Sequence, residues 1–138
     1  MKTDRHQRYM KILAKIAEAQ EPVARMRLTA ALVYKNEIIS VGCNQMKTHP
    51  FQMKFAKNKE SIYLHAEVNC VRNALRSVSM DVISRCTMYV YRAKHPGQDS
   101  SVFIPGLSKP CEGCQRCIAE FGIKRVAYSL DNEGYDWL

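Results

Sequence analysis

Apolar positions along the chain change their period several times, and each change predicts an element. Residues 4–20 place Tyr9, Ile12, Leu13, Ile16 and Ala17 at helical spacing, and Pro22 ends that run. Two short apolar runs follow, 28–34 and 38–43, flanking Lys35-Asn36-Glu37, and they read as a β-hairpin. Residues 44–63 are polar, contain Pro50 and keep no period, so they read as loop with at most a helical turn. From 65 to 78, Cys70, Val71, Ala74, Leu75 and Val78 fall on one helical face. Residues 86–92 are rich in β-branched and aromatic side chains and predict a strand. A second long loop, 93–109, carries Pro96, Gly97, Pro105 and Gly106. Residues 111–121 predict a helix, with Pro110 suited to its first turn and Gly122 to its C-terminal cap. Residues 124–129 predict a last strand, and 131–138 a short tail.

The later alternation of helix and strand calls for parallel strands joined by helical crossovers. The expected fold class is therefore α/β, a mixed sheet of about four strands between helices. The chain is long enough for one domain, 1–138, with an N-terminal helix (1–22), a core (23–129) and a tail (130–138). No apolar run approaches the length of a membrane span, and the first residues lack the apolar stretch of a secretory signal. A cytoplasmic protein with reduced thiols is the expectation, so some of the six cysteines are available for metal. The net charge of +8 favours anionic partners, but the basic residues are dispersed and read as readily as a solvated surface. Lys47, Lys54, Lys57 and Lys59 form the one notable cluster, with His49 among them.

Candidate chemistry lies at two helix starts. His65-Ala66-Glu67 opens one predicted helix, and Pro110-Cys111-Glu112-Gly113-Cys114 opens another. Cys111 and Cys114, three apart, share a helix face, and the dipole at a helix N-terminus favours thiolates. One imidazole and two thiolates leave a fourth position open, as in a catalytic rather than a structural zinc site. A structural site would need a fourth protein ligand. Cys117 is the nearest candidate, but it lies a further turn from the helix end. A redox CxxC is the other bland reading. Cys43, Cys70 and Cys86 fall on predicted core faces and read as buried thiols, and His6 and His95 as terminal and loop residues.

H-x-E followed by P-C-x-x-C resembles the signature of the zinc-dependent cytidine/deoxycytidylate deaminase superfamily, including its small phage and bacterial deoxycytidylate-type members. The resemblance implies that His65, Cys111 and Cys114 hold Zn²⁺ and that the fourth ligand is an acidified water. It makes Glu67 the proton carrier, since a mere zinc staple has no need of that carboxylate. The Ala66 N–H would hold the base carbonyl. Asn44, in Gly42-Cys43-Asn44, resembles the family asparagine that contacts the sugar. The family usually adds a fifth strand and another helix. Here the fifth strand is expected to be absent, making a minimal version. Specificity lies in loops. The loop 93–109 is expected at the substrate entrance, with Ser108 and Lys109 near a phosphate and Pro110 beside the substrate. The implied reaction is hydrolytic deamination of a free nucleotide or nucleoside, with dCMP first. Single-stranded DNA or RNA is the alternative, which the scarcity of aromatics beyond Phe51, Phe55 and Tyr63 disfavours. Relatives commonly self-associate, so a homo-oligomer is also an expectation.

Overall fold

The computed structural model describes residues 4–20, 27–48, 50–55, 63–97 and 101–138. Its frame is the hairpin of β1 (Arg27–Tyr34) and β2 (Glu37–Cys43), turned at Lys35 and Asn36, which both take left-handed φ angles of 49° and 68°. Two consecutive positive φ values give the turn whose twist matches that of paired strands. Lys35-Asn36 adopts it without a glycine. The long strand β5 (Thr87–Lys94) pairs antiparallel with β1, and β7 (Arg125–Ser129) pairs parallel with β5. That parallel pair is the one the helical crossover required.

The sheet is larger than four strands. The tail contributes β8 (Tyr135–Trp137), antiparallel to β7, so the order runs β2-β1-β5-β7-β8. The expected absence of a fifth strand is therefore corrected. β6 (Ile104–Gly106) adds a sixth strand beside the end of β5, inside the segment expected to be loop. The polar segment before His65 also holds structure. β3 (Gln45–Thr48) pairs with β4 (Tyr63–Leu64), and α2 (Pro50–Phe55) lies between them. Lys57, Lys59, His49 and Pro22 lie outside the described residues.

Strand alternation sends side chains to both faces. Ala31, Val33, Tyr89 and Ala127 meet α1 (Arg5–Ala19) through Met10 and Leu13. Met10 is buried where Ile12, part of the expected stripe, is exposed. Ala30, Leu32, Met88, Val90 and Val126 face the other way, onto α3 (Ala66–Ala74), α4 (Met80–Ser84) and α5 (Glu112–Glu120). The helix predicted over 65–78 stops earlier, at Ala74, and α4 is a separate helix beyond it, which Ser79 caps by accepting the Val82 N–H. α5 ends as expected, with Gly122 at φ 73°. No helix among the described residues is long and apolar enough to cross a membrane.

Candidate active site

Gly42, at the end of β2, brings the sheet and α3 together. A Cβ there would stand 2.3 Å from the Cys70 nitrogen and 2.7 Å from the Ala66 carbonyl oxygen, so only glycine allows this approach. The approach seats the first turn of α3 over the strand end. His65 is the N-cap of α3, but its side chain makes no capping bond. The ring turns instead toward α5, whose N-cap is Cys111. Cys111 Sγ accepts the Cys114 N–H at 3.5 Å, so the helix terminus itself holds the sulfur.

The three predicted ligands converge. His65 Nδ1 lies 3.3 Å from Cys114 Sγ and 3.5 Å from Cys111 Sγ. All three donor atoms lie within 4.8 Å of one another, and among the described residues this is the one such group of His, Cys, Asp or Glu. A tetrahedral zinc with bonds of about 2.0 Å to nitrogen and 2.3 Å to sulfur has N···S edges of about 3.5 Å. The donor set and its spacing fit that ion. Cys117 stands apart, fully buried, and burial pushes its thiol up to about 12. Cys70 and Cys86 are buried thiols as expected, and Cys43 is half-buried.

Charge is uneven across the triad. The hydrogen bond from Cys114 draws Cys111 down to about 4, with His65 and the Cys114 N–H helping. Cys114 is pushed up, first by that same hydrogen bond and then by burial. His65 is raised, chiefly by its hydrogen bond with Cys111. A metal ion held here needs the imidazole neutral and both sulfurs deprotonated, so its binding would release protons. Glu67 sits in the first turn of α3, only 5% exposed, with its carboxyl within hydrogen-bonding reach of Cys114. Burial raises its pKa, so it takes up a proton more readily than an exposed glutamate.

The residues expected at the substrate divide. Ala66 is buried in the first turn of α3, Pro110 is buried just before Cys111, and Lys109 is exposed between Pro110 and Ser108. Asn44 follows the last residue of β2, and its Oδ1 accepts the Leu28 N–H at 3.0 Å and a Gln20 amide hydrogen at 2.9 Å. Ser108, expected near a phosphate, has its hydroxyl engaged within the fold. It is buried, donates to the Val90 carbonyl at 2.9 Å and accepts the Ser129 N–H at 2.8 Å. Ser108 thus bonds to both β5 and β7, whereas its neighbours Leu107 and Lys109 are exposed. A cleft of about 390 Å³ lined by Met10, Lys11, Tyr91, Pro105 and Tyr135 lies on the α1 face and holds none of the predicted site residues.

One residue beside the triad escaped the sequence reading. Gln52, on α2, is fully buried, and its Oε1 accepts the His65 backbone N–H at 3.0 Å. A lone glutamine in a six-residue helix within a Pro-containing polar stretch carries no periodic signal. Phe51 and Phe55, considered as stacking platforms for bases, pack toward the interior, where Phe51 stacks on Phe121 at 6.0 Å.

The comparisons agree with this geometry. A sequence model described as the cytidine and deoxycytidylate deaminase zinc-binding region matches residues 3–130. The dCMP deaminase of cyanophage S-TIM5, in its apo crystal structure, is 24% identical, with a TM-score of 0.62 over 93% of this chain and 84% of that one. The cytidine deaminase of Burkholderia pseudomallei is 18% identical, with a TM-score of 0.62 over 95% of this chain and 90% of that one. At such identities the two structures show a shared fold. A search of curated proteins finds no match. With the family's zinc-binding region spanning nearly its whole length and the three donors meeting at one point, the chain belongs to the cytidine and deoxycytidylate deaminase family and is a zinc-dependent hydrolytic deaminase.

Proposed function

We propose that this deaminase converts a free cytosine nucleotide, deoxycytidylate first, to the uracil form with release of ammonia. The observation that carries the reading is a buried carboxyl, Glu67, two positions after the histidine of the triad and in the first turn of the helix that His65 caps. His65, Cys111 and Cys114 hold the zinc. Bound there, the ion supplies Lewis acidity that makes water a nucleophile near neutral pH. Glu67 would accept one proton of the water and deliver it to the ring nitrogen of the base, then take the second from the oxygen added at C4 and pass it to the departing amino group, which leaves as ammonia. Oxygen bonds to C4, the bond from C4 to the amino nitrogen breaks, and no redox change occurs. Burial suits Glu67 to this exchange, because it brings the carboxyl closer to the operating pH. In this reading the Ala66 N–H, at the start of α3, receives the base carbonyl. Asn44 meets the sugar, Pro110 borders the base, and Lys109 reaches the phosphate.

Two observations favour a mononucleotide over a polymer. The cyanophage S-TIM5 dCMP deaminase has been crystallised with dCMP and dUMP, and that structure matches this chain at 21% identity with a TM-score of 0.62. The aromatic residues of α2 are turned toward Phe121 rather than outward to stack bases. The test is to incubate the zinc-loaded protein separately with cytidine, CMP, dCMP, dCTP and a cytosine-bearing single strand, and to look for uracil products. Turnover of dCMP is expected. Uracil formed in the oligonucleotide, with no turnover of any mononucleotide or nucleoside, overturns the reading.

A further inference from the structure

The backbone of His65 must be fixed on both sides if its ring is to meet two sulfurs on another helix. On the C-terminal side the helix does this, since the Asn69 N–H donates to the His65 carbonyl at 2.9 Å. On the N-terminal side the His65 N–H precedes the helical ladder and has no helical acceptor. Gln52 Oε1 accepts it, from a side chain with no exposure at all. The short helix that carries Gln52 is itself tied to α5. Lys54 pairs with Glu120 at 3.3 Å, an Arg116 Nη1 hydrogen reaches the Phe55 carbonyl at 3.4 Å, and Phe51 stacks on Phe121. Gln52 therefore relays the position of α5, which bears Cys111 and Cys114, to the backbone of His65.

We propose that Gln52 is a positioning residue for the metal ligand His65, setting the distance between its ring and the two thiolates. This rests on the triad being the zinc site. It goes beyond the substrate reading, and metal binding tests it without any substrate. Groups that orient metal ligands typically contribute about 10–100-fold in metal affinity. Gln52→Met keeps length and removes the amide oxygen, and Gln52→Asn keeps the amide but shortens its reach. Zinc affinity would be measured by competition with a chromophoric chelator. The cobalt(II)-substituted proteins would be compared by absorption, because thiolate charge-transfer and ligand-field bands report bond geometry directly.

Both variants are expected to bind zinc about 10–100-fold more weakly, with shifted cobalt bands, while far-UV circular dichroism stays that of the parent. If one variant does not fold, the other decides. A folded variant that binds zinc within about twofold of the parent, with unchanged cobalt bands, overturns the role of Gln52. A parent cobalt form without thiolate bands overturns the ligand set and the role together. Failure of dCMP turnover alone leaves these metal readouts unmoved and counts only against the proposed substrate.

Discussion

Gly42→Ala tests how the sheet positions the catalytic helix. The added methyl would fall 2.3 Å from the Cys70 nitrogen, 2.7 Å from the Ala66 oxygen and 2.8 Å from the Cys70 Cα, against ordinary contact at 3.4 Å or more. All three neighbours are backbone atoms of α3, so no side chain can swing aside. Either the helix or the strand end must move by about 1 Å. Overpacking of this kind costs about 1–3 kcal/mol. At about 2.1 cal/mol/K per residue, the unfolding entropy of this chain is about 290 cal/mol/K, so each 1 kcal/mol lowers Tm by about 3–4 °C. A loss of about 3–10 °C is expected. The displaced turn carries His65 at its cap and Glu67 within it, and a misplacement of about 1 Å costs on the order of 10²-fold in kcat. Differential scanning calorimetry and steady-state deamination would be measured on Gly42→Ala beside Gly97→Ala, where an added Cβ meets nothing within 4 Å. A Gly42→Ala protein with the Tm and kcat of the Gly97 control would refute the close approach of β2 and α3.

Three further predictions follow from the same geometry. Glu67→Gln keeps the shape of the side chain and removes the proton carrier, so zinc content should stay near one per chain while kcat falls about 10²–10⁴-fold; parent-like turnover in the zinc-replete variant would move the proton to another group. Cys117→Ala should retain stoichiometric zinc by elemental analysis, since Cys117 lies outside the converging triad, and loss of metal from a folded variant would reassign the ligands. His6, enclosed by Tyr89, Tyr135 and Trp137, is held below 6.5 first by burial, with Arg5 and Arg125 acting the same way and Asp4 opposing. A lowered histidine contributes stability that is fully present above pH 6.5 and is lost as pH falls through its folded value. The Tm of the parent should therefore drop more than that of His6→Phe between pH 7.5 and pH 5, and parallel curves would show that His6 does not titrate with unfolding.

Where chemistry needed residue types at fixed offsets, the chain was readable. His65, Cys111 and Cys114 were identifiable because the ligand types and their order restrict the options, and Gly122 because a positive φ just after a helix favours glycine. The elements missed owe their form to neighbours rather than to their own pattern. β8 is three residues long, too short for a period, and exists through its pairing with β7. β6 reads Ile-Pro-Gly, two residues of which disfavour strands, yet it adjoins only the end of β5, where proline is tolerated. Ser108 looked like a surface anion contact because nothing in its local sequence says that Ser129 will lie beside it from across the sheet. Gln52 matters for the backbone group it meets thirteen positions away, and no periodicity encodes that meeting.

The ligands His65 and Cys111 are 46 positions apart, and between them in chain order runs β5, the strand that sits in the middle of the sheet between β1 and β7. This arrangement governs the order of events when the protein is made. A nascent chain that has formed only the hairpin and α3 presents one lone imidazole, a poor metal trap. The two sulfurs reach it only after the central strand has been inserted and the chain has crossed back through α5. Closing so long a segment carries an entropic cost that sheet pairing must meet before any coordination bond forms. The complete ligand set is therefore a property of the folded sheet, and an ion held by it would join the first and second halves of the molecule and favour the folded state by mass action.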